Sequence, residues 1–213
     1  ITTASVSAIL AGSGALTKTG SGTATLSSAN TYTGGTTLSG GTLALGSSAA
    51  LGSTGDLSFG GGTLQYSGSN SVDYSNRISN TANQPLKIDT NGQSVTFASV
   101  LGSAVSSLNK LGTGTLTLTA DNIYTGATTI TAGTLQLGNG GTSGSVSGDI
   151  VNNAALIANR SDASSLGGAI SGTCRDSDFT LPLTQVVNGN KGIHVMLPLR
   201  FSYQRISKQG GCQ

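Results

Sequence analysis

The feature that most constrains this chain is a long internal duplication. Residues 16–46 read LTKTGSGTATLSSANTYTGGTTLSGGTLALG, and residues 108–138 read LNKLGTGTLTLTADNIYTGATTITAGTLQLG. The two stretches align without a gap at an offset of 92, with 18 identities in 31 positions. Self-similarity at a fixed period points to a repeat architecture before any compact fold. A shorter period lies inside the long one. Thr23, Thr42 and Thr63 each open an alternating string, at intervals of 19 and 21, and Thr115, Thr134 and Ala155 repeat those intervals. The 52 residues from 63 to 115 leave room for two wider turns, with LKID (86–89) and SVTF (94–97) as strands. Four turns in 92 residues is about 23 residues per turn, a solenoid spacing.

Each string alternates. In GTLTLT, Leu116 and Leu118 face one way while Thr115, Thr117 and Thr119 face the other. One such strand cannot bury its Leu side, but stacked coils bury a continuous aliphatic column. Thr suits the exposed face of a pleated strand, and Gly before each strand supplies turn conformations that other residues resist. Composition agrees: 33 Gly against 3 Pro, 8% charged residues, no Trp and no Glu favour β-structure and turns over helix. The expected fold is therefore all-β, a right-handed parallel β-helix of about seven coils over residues 1–173. At a strand spacing of roughly 4.8 Å such a rod is about 35 Å long.

Asn30 and Asn122, Tyr32 and Tyr124, and Gly34 and Gly126 occupy the same corner of each unit. Asn there is expected to bond its own turn, and Tyr to cover the coil edge with a wet hydroxyl. The alternative is an exposed Tyr on which a sugar ring stacks. The two long strings, together with IDTNGQSVTF (88–97) and SGDIVNNAALIANRSD (147–162), resemble the passenger-associated strand repeat of bacterial autotransporters. That resemblance implies a β-helical passenger of a Gram-negative bacterium. Its partner is an outer-membrane β-barrel translocator missing from this chain, and it is surface-displayed or secreted in an adhesin-type role, with a host-surface or glycan ligand. The stalk so implied is expected to be no enzyme and to take no cofactor. The alternative function is a β-helix that binds or cleaves surface polysaccharide.

Catalysis needs clustered titratable groups, and this sequence scatters them. The six Asp before residue 174 (56, 73, 89, 121, 149 and 162) stand singly, and Asp56 and Asp149 recur after Gly as turn residues. Five bases, Lys18, Arg77, Lys87, Lys110 and Arg160, offset them without forming a basic stripe, which argues against nucleic acid. An array of Thr-x-Thr suited to ice is not kept from coil to coil, since Thr42 is followed by Ala44 and Thr134 by Gln136. No signal peptide and no apolar run of membrane-spanning length is visible, as expected of an internal fragment. From 174 to 213 the character changes in mid-repeat. Cys174, Cys212, the single His194 and the alternating stretch 193–203 all fall there, so 174–213 is expected to be an atypical tail, artefactual or disordered.

Overall fold

A computed structural model describes residues 3–81, 83–162, 168–173 and 177–180. Cys174, His194, Cys212 and the stretch 193–203 lie outside the described residues. The described chain is a parallel β-solenoid of about eight turns. Each coil contributes a first strand, a corner, a second strand and a loop back to the next coil. In the first unit the first strands, Leu16–Lys18, Thr36–Leu38 and Leu57–Phe59, form a three-stranded sheet. The second strands of the later coils, from Ser94–Phe97 through Thr115–Leu118, Thr134–Leu137 and Ala155–Asn159 to Ser177–Thr180, form a five-stranded one.

The third sheet has nine strands and is a splice. Its lower part runs through second strands, Thr3–Val6, Thr23–Leu26, Thr42–Leu45 and Thr63–Gln65. Its upper part runs through first strands, Val105–Leu111, Thr128–Ile130, Ile150–Asn152 and Ile170–Ser171. The strand Gln84–Asp89 joins them: Ile88 and Asp89 pair below with Leu64 and Gln65, while Leu86 and Ile88 pair above with Leu108 and Lys110. Its Gln84 Oε1 also accepts the Phe59 amide at 2.6 Å, tying the splice to the three-stranded sheet.

Registers follow the spacings read from the sequence. Thr23 pairs with Thr42 and Thr42 with Thr63; Ser94 pairs with Thr115, Thr115 with Thr134 and Thr134 with Ala155. Of the two wider turns expected between 63 and 115, one is ordinary, because Ser94 lies directly beneath Thr115. The excess residues are gathered in the other, as an excursion over 66–83 that holds a short 3-10 turn, Ser75–Arg77. The stacking also continues past residue 173, since Ser177–Thr180 pairs in parallel with Leu156 to Asn159.

Inward positions form unbroken columns. Val95, Leu116, Leu135 and Leu156 stack in register, as do Phe97, Leu118, Leu137 and Ala158, all buried. Each fully buried aliphatic side chain contributes about 1.5–3 kcal/mol, so a column is held by its length rather than by any one residue. Among the described residues one core group is unsatisfied: Tyr66, fully buried against Tyr74 with ring centroids 6.4 Å apart, has no partner for its hydroxyl. An orphaned buried polar group costs about 1–3 kcal/mol. Tyr66→Phe is therefore expected to raise stability by about 1 kcal/mol, read as a higher urea midpoint at an unchanged slope. A lower midpoint would contradict that assignment.

Candidate functional site

The chain's candidate site is the duplicated corner, and its chemistry is that of main-chain groups. Hydrogen bonds in a solenoid run from coil to coil, so where strands end and the chain turns, amides and carbonyls lose regular partners. Asn30 and Asn122 supply them. Asn30 Oδ1 accepts the Leu10 amide at 2.8 Å and its Nδ2 donates to the Ala50 carbonyl at 2.6 Å. Asn122 repeats the pattern, accepting the Leu101 amide at 2.9 Å and donating to the Ser145 and Ala120 carbonyls at 2.9 Å each. Each buried Asn thus joins the coil below to the coil above. The expected bond to its own turn is present only at Asn122, and it is secondary.

The tyrosines do not behave as expected. Tyr32 is 3% exposed and Tyr124 is fully buried. Their hydroxyls are not wet but share hydrogen bonds with the hydroxyl four residues on, Tyr32 with Thr36 at 2.7 Å and Tyr124 with Thr128 at 2.6 Å. Burial pushes both phenols above their ordinary range. Neither ring face is open, so the sugar-stacking alternative fails at both positions. The sequence placed Tyr at a coil edge, but the Thr-Gly turn folds the ring inward, where the Thr of the next strand waits. Gly34 and Gly126 serve close approach: a Cβ on Gly34 would overlap the Gly14 carbonyl, and one on Gly126 the Ser106 carbonyl.

Sequence reasoning missed Lys18 and Lys110. Lys18 ends its strand and Lys110 is the last residue but one of its own, both at a position whose alternation points into the core, where the neighbouring coils carry Leu38 and Ile130. Lys18 Nζ donates to the carbonyls of Thr19, Gly20 and Gly40 at 2.6, 3.0 and 3.0 Å. Lys110, 0% exposed, donates to Leu111, Gly112 and Ala132 at 2.9, 2.8 and 3.1 Å. Three ammonium hydrogens meet three carbonyls in both units. The loop that closes each cage needs Gly41 or Gly133, both with positive φ (62° and 67°), because a Cβ there would strike the enclosed carbonyls. The available signal was a Lys kept at the 92-residue offset in a chain with few bases.

The other bases before residue 174 serve the same purpose. Arg77 lies 5.7 Å over the Tyr74 ring and donates to the carbonyls of Leu51, Gly52, Thr54 and Gly55. Lys87 donates to Gly61 at 2.9 Å. Arg160 holds Asp121 at 3.0 Å and Asp162 at 2.9 Å, and donates to the Thr142 carbonyl. The Asp121 carboxyl is held below the usual range, first by the Ser145 hydroxyl and then by Arg160 and the Gly144 amide. Other acids cap amides: Asp73 accepts from Ser75 and Ala98 at 2.8 Å each, and Asp149 from Ala169 at 2.8 Å. Among the described residues no three His, Cys or Asp side chains are grouped to hold a metal ion.

A stapled corner written twice on stacked parallel coils defines a repeat-built β-solenoid. The model of the passenger-associated-transport-repeat family matches residues 16–45 and 108–137, so the chain carries that repeat twice. The chain is also 61% identical over 51 residues to the Adhesin BmaC autotransporter of Brucella suis biovar 1 (strain 1330). The shared stretch is 24% of this chain and 2% of that protein, so the chain spans a small part of its relative's length. No solved structure matches the chain.

Two outcomes are expected at this corner. Asn122→Ala orphans the Leu101 amide and removes one of two donors from each of the Ser145 and Ala120 carbonyls, which keep the Asn122 and Ser145 amides. It should destabilise the rod by about 1–3 kcal/mol, checked by chemical denaturation, and a loss under about 0.5 kcal/mol would contradict the bridging role. Lys110 predicts a pH dependence. Burial lowers its ammonium to about 8, with Asp89 opposing, whereas an unfolded chain keeps that proton to about 10.4. Between those values the unfolded state binds more protons, so stability rises with pH. The melting temperature of the native chain, relative to that of Lys110→Met, should therefore climb from about pH 8 to about pH 10. A flat difference would contradict it.

Proposed function

We propose that this chain is a segment of an autotransporter passenger: a non-enzymatic stalk of an adhesin-type protein at the outer surface of a Gram-negative bacterium. A C-terminal β-barrel translocator elsewhere in the parent protein would carry it out and anchor it. One observation carries the reading. The two copies of the passenger-associated-transport-repeat are the very segments that build the stapled corners of the rod. The charged residues support a mechanical role, since Lys18, Arg77, Lys87 and Lys110 donate to main-chain carbonyls and Arg160 to the Thr142 carbonyl and the Asp121 and Asp162 carboxylates. A side chain bound in this way is unavailable to a phosphate backbone, which speaks against nucleic acid as a partner. In this reading 1–173 is the repeat body and 174–213 an atypical tail, although the stacking itself crosses residue 173. A host-surface or glycan ligand would meet the exposed turns rather than the columns within.

Folding outside the cell suits this construction. A chain with 8% charged residues and abundant small polar ones can travel unfolded and then stack coil by coil, each new coil completing the hydrogen bonds of the last. The direct test is to label intact cells of the source bacterium with an antibody raised against this chain, before and after external protease. Labelling of intact cells that the protease removes is the expected result. Labelling that appears only after lysis would overturn the assignment.

A further inference from the structure

The excursion over 66–83 leans against the turn at 47–55 and leaves a cleft of about 300 Å³ on the side of the rod. Its walls include Ser48, Ser53, Val72, Asp73, Asn76 and Arg77. Several polar side chains line this cleft without bonding the rod. The side chains of Ser48, Ser53 and Asn76 are exposed and make no hydrogen bond among the described residues. Val72, 38% exposed, adds an apolar contact beside them. Asp73 gives each carboxylate oxygen to one amide, Ser75 or Ala98, and each oxygen keeps capacity for a further donor. Arg77 has four of its five N–H groups on carbonyls.

We propose that this cleft binds a neutral, polyhydroxylated ligand, a saccharide of one to three units. Two hydroxyls, an amide, an acceptor carboxylate and an aliphatic contact match alternating O–H and C–H faces of a sugar ring, as small-ligand sites combine apolar walls with a few placed polar groups. An anion is a poorer match. The guanidinium is already committed to the Leu51, Gly52, Thr54 and Gly55 carbonyls, and the Asp73 carboxylate faces the same space. The position is set by the fold. Asp73 fastens the excursion to the coil above through Ala98, and Arg77 fastens it to the turn below, so the walls are held from both sides. The proposal rests on the glycan-ligand reading above and deepens it by naming the site, and because binding is measured on the isolated chain its failure is distinguishable from a failure of surface display.

The test is ligand-observed NMR on the 213-residue chain with separate samples of N-acetylglucosamine, galactose, maltotriose and inorganic phosphate. At least one saccharide is expected to show saturation transfer, with a dissociation constant on the order of 1 mM. Ser53→Ala and Asn76→Ala remove only side chains that bond nothing in the rod. They should weaken binding about tenfold together, while circular dichroism and the melting temperature stay unchanged. Asp149→Asn, at a remote turn, should leave binding intact. Signal from no saccharide, saccharide signal indifferent to Ser53→Ala and Asn76→Ala, or binding of phosphate alone would each overturn the proposal.

Discussion

Everything in this rod depends on what becomes of main-chain carbonyls at the corners. Within a strand the coil above supplies the donors, but the corner breaks that supply, and an unpaired buried carbonyl costs as much as a lost hydrogen bond. The chain meets this demand with long side chains instead of with more backbone. Lys18 and Lys110 close cages of three oxygens from their own turn and that of the next coil, Arg77 reaches four, and Asn30 and Asn122 span three coils. An ammonium buried in this way would be expensive in a purely apolar interior. It is tolerated because every hydrogen has an acceptor.

The hydrophobic columns and these polar staples divide the task. Columns such as Val95, Leu116, Leu135 and Leu156 favour stacking and oppose a slip of one residue, but a slip of two sets one inward position on another again, so they leave that choice open. Directional bonds make it. A slip of either size would carry Asn122 away from the Leu101 amide, and a slip of one would also carry every inward side chain to the outer face. The recurrence of Lys and Asn at matching places in both 92-residue units gives each unit its own register lock.

Much of this was legible in the sequence. Alternation placed Leu116 and Leu118 inside and Thr115 and Thr117 outside, and interval arithmetic gave the coil pairing directly. LKID and SVTF formed strands as their pattern suggested, within Gln84–Asp89 and Ser94–Phe97. The corner was recognised as a structural signature, but its chemistry was not. A Lys at an inward position contradicts the hydrophobic rule, and only the geometry of three converging carbonyls explains it. Tyr32 and Tyr124 were placed at the surface because pattern alone does not show that Thr36 and Thr128 lie within reach of a buried hydroxyl. The cleft beside 66–83 was illegible for another reason: it arises where one irregular turn meets a regular one.

The splice at Gln84–Asp89 has a consequence for how such rods grow. It hands the hydrogen-bond ladder from the second-strand line of one unit to the first-strand line of the next, without a break in pairing. Four coils are added per unit, about 19 Å of axis at the spacing of β-strands. A genetic duplication or deletion of one whole unit would therefore begin and end on compatible surfaces. Length in such a molecule is a countable quantity, adjusted in steps by recombination while every joint keeps its fit.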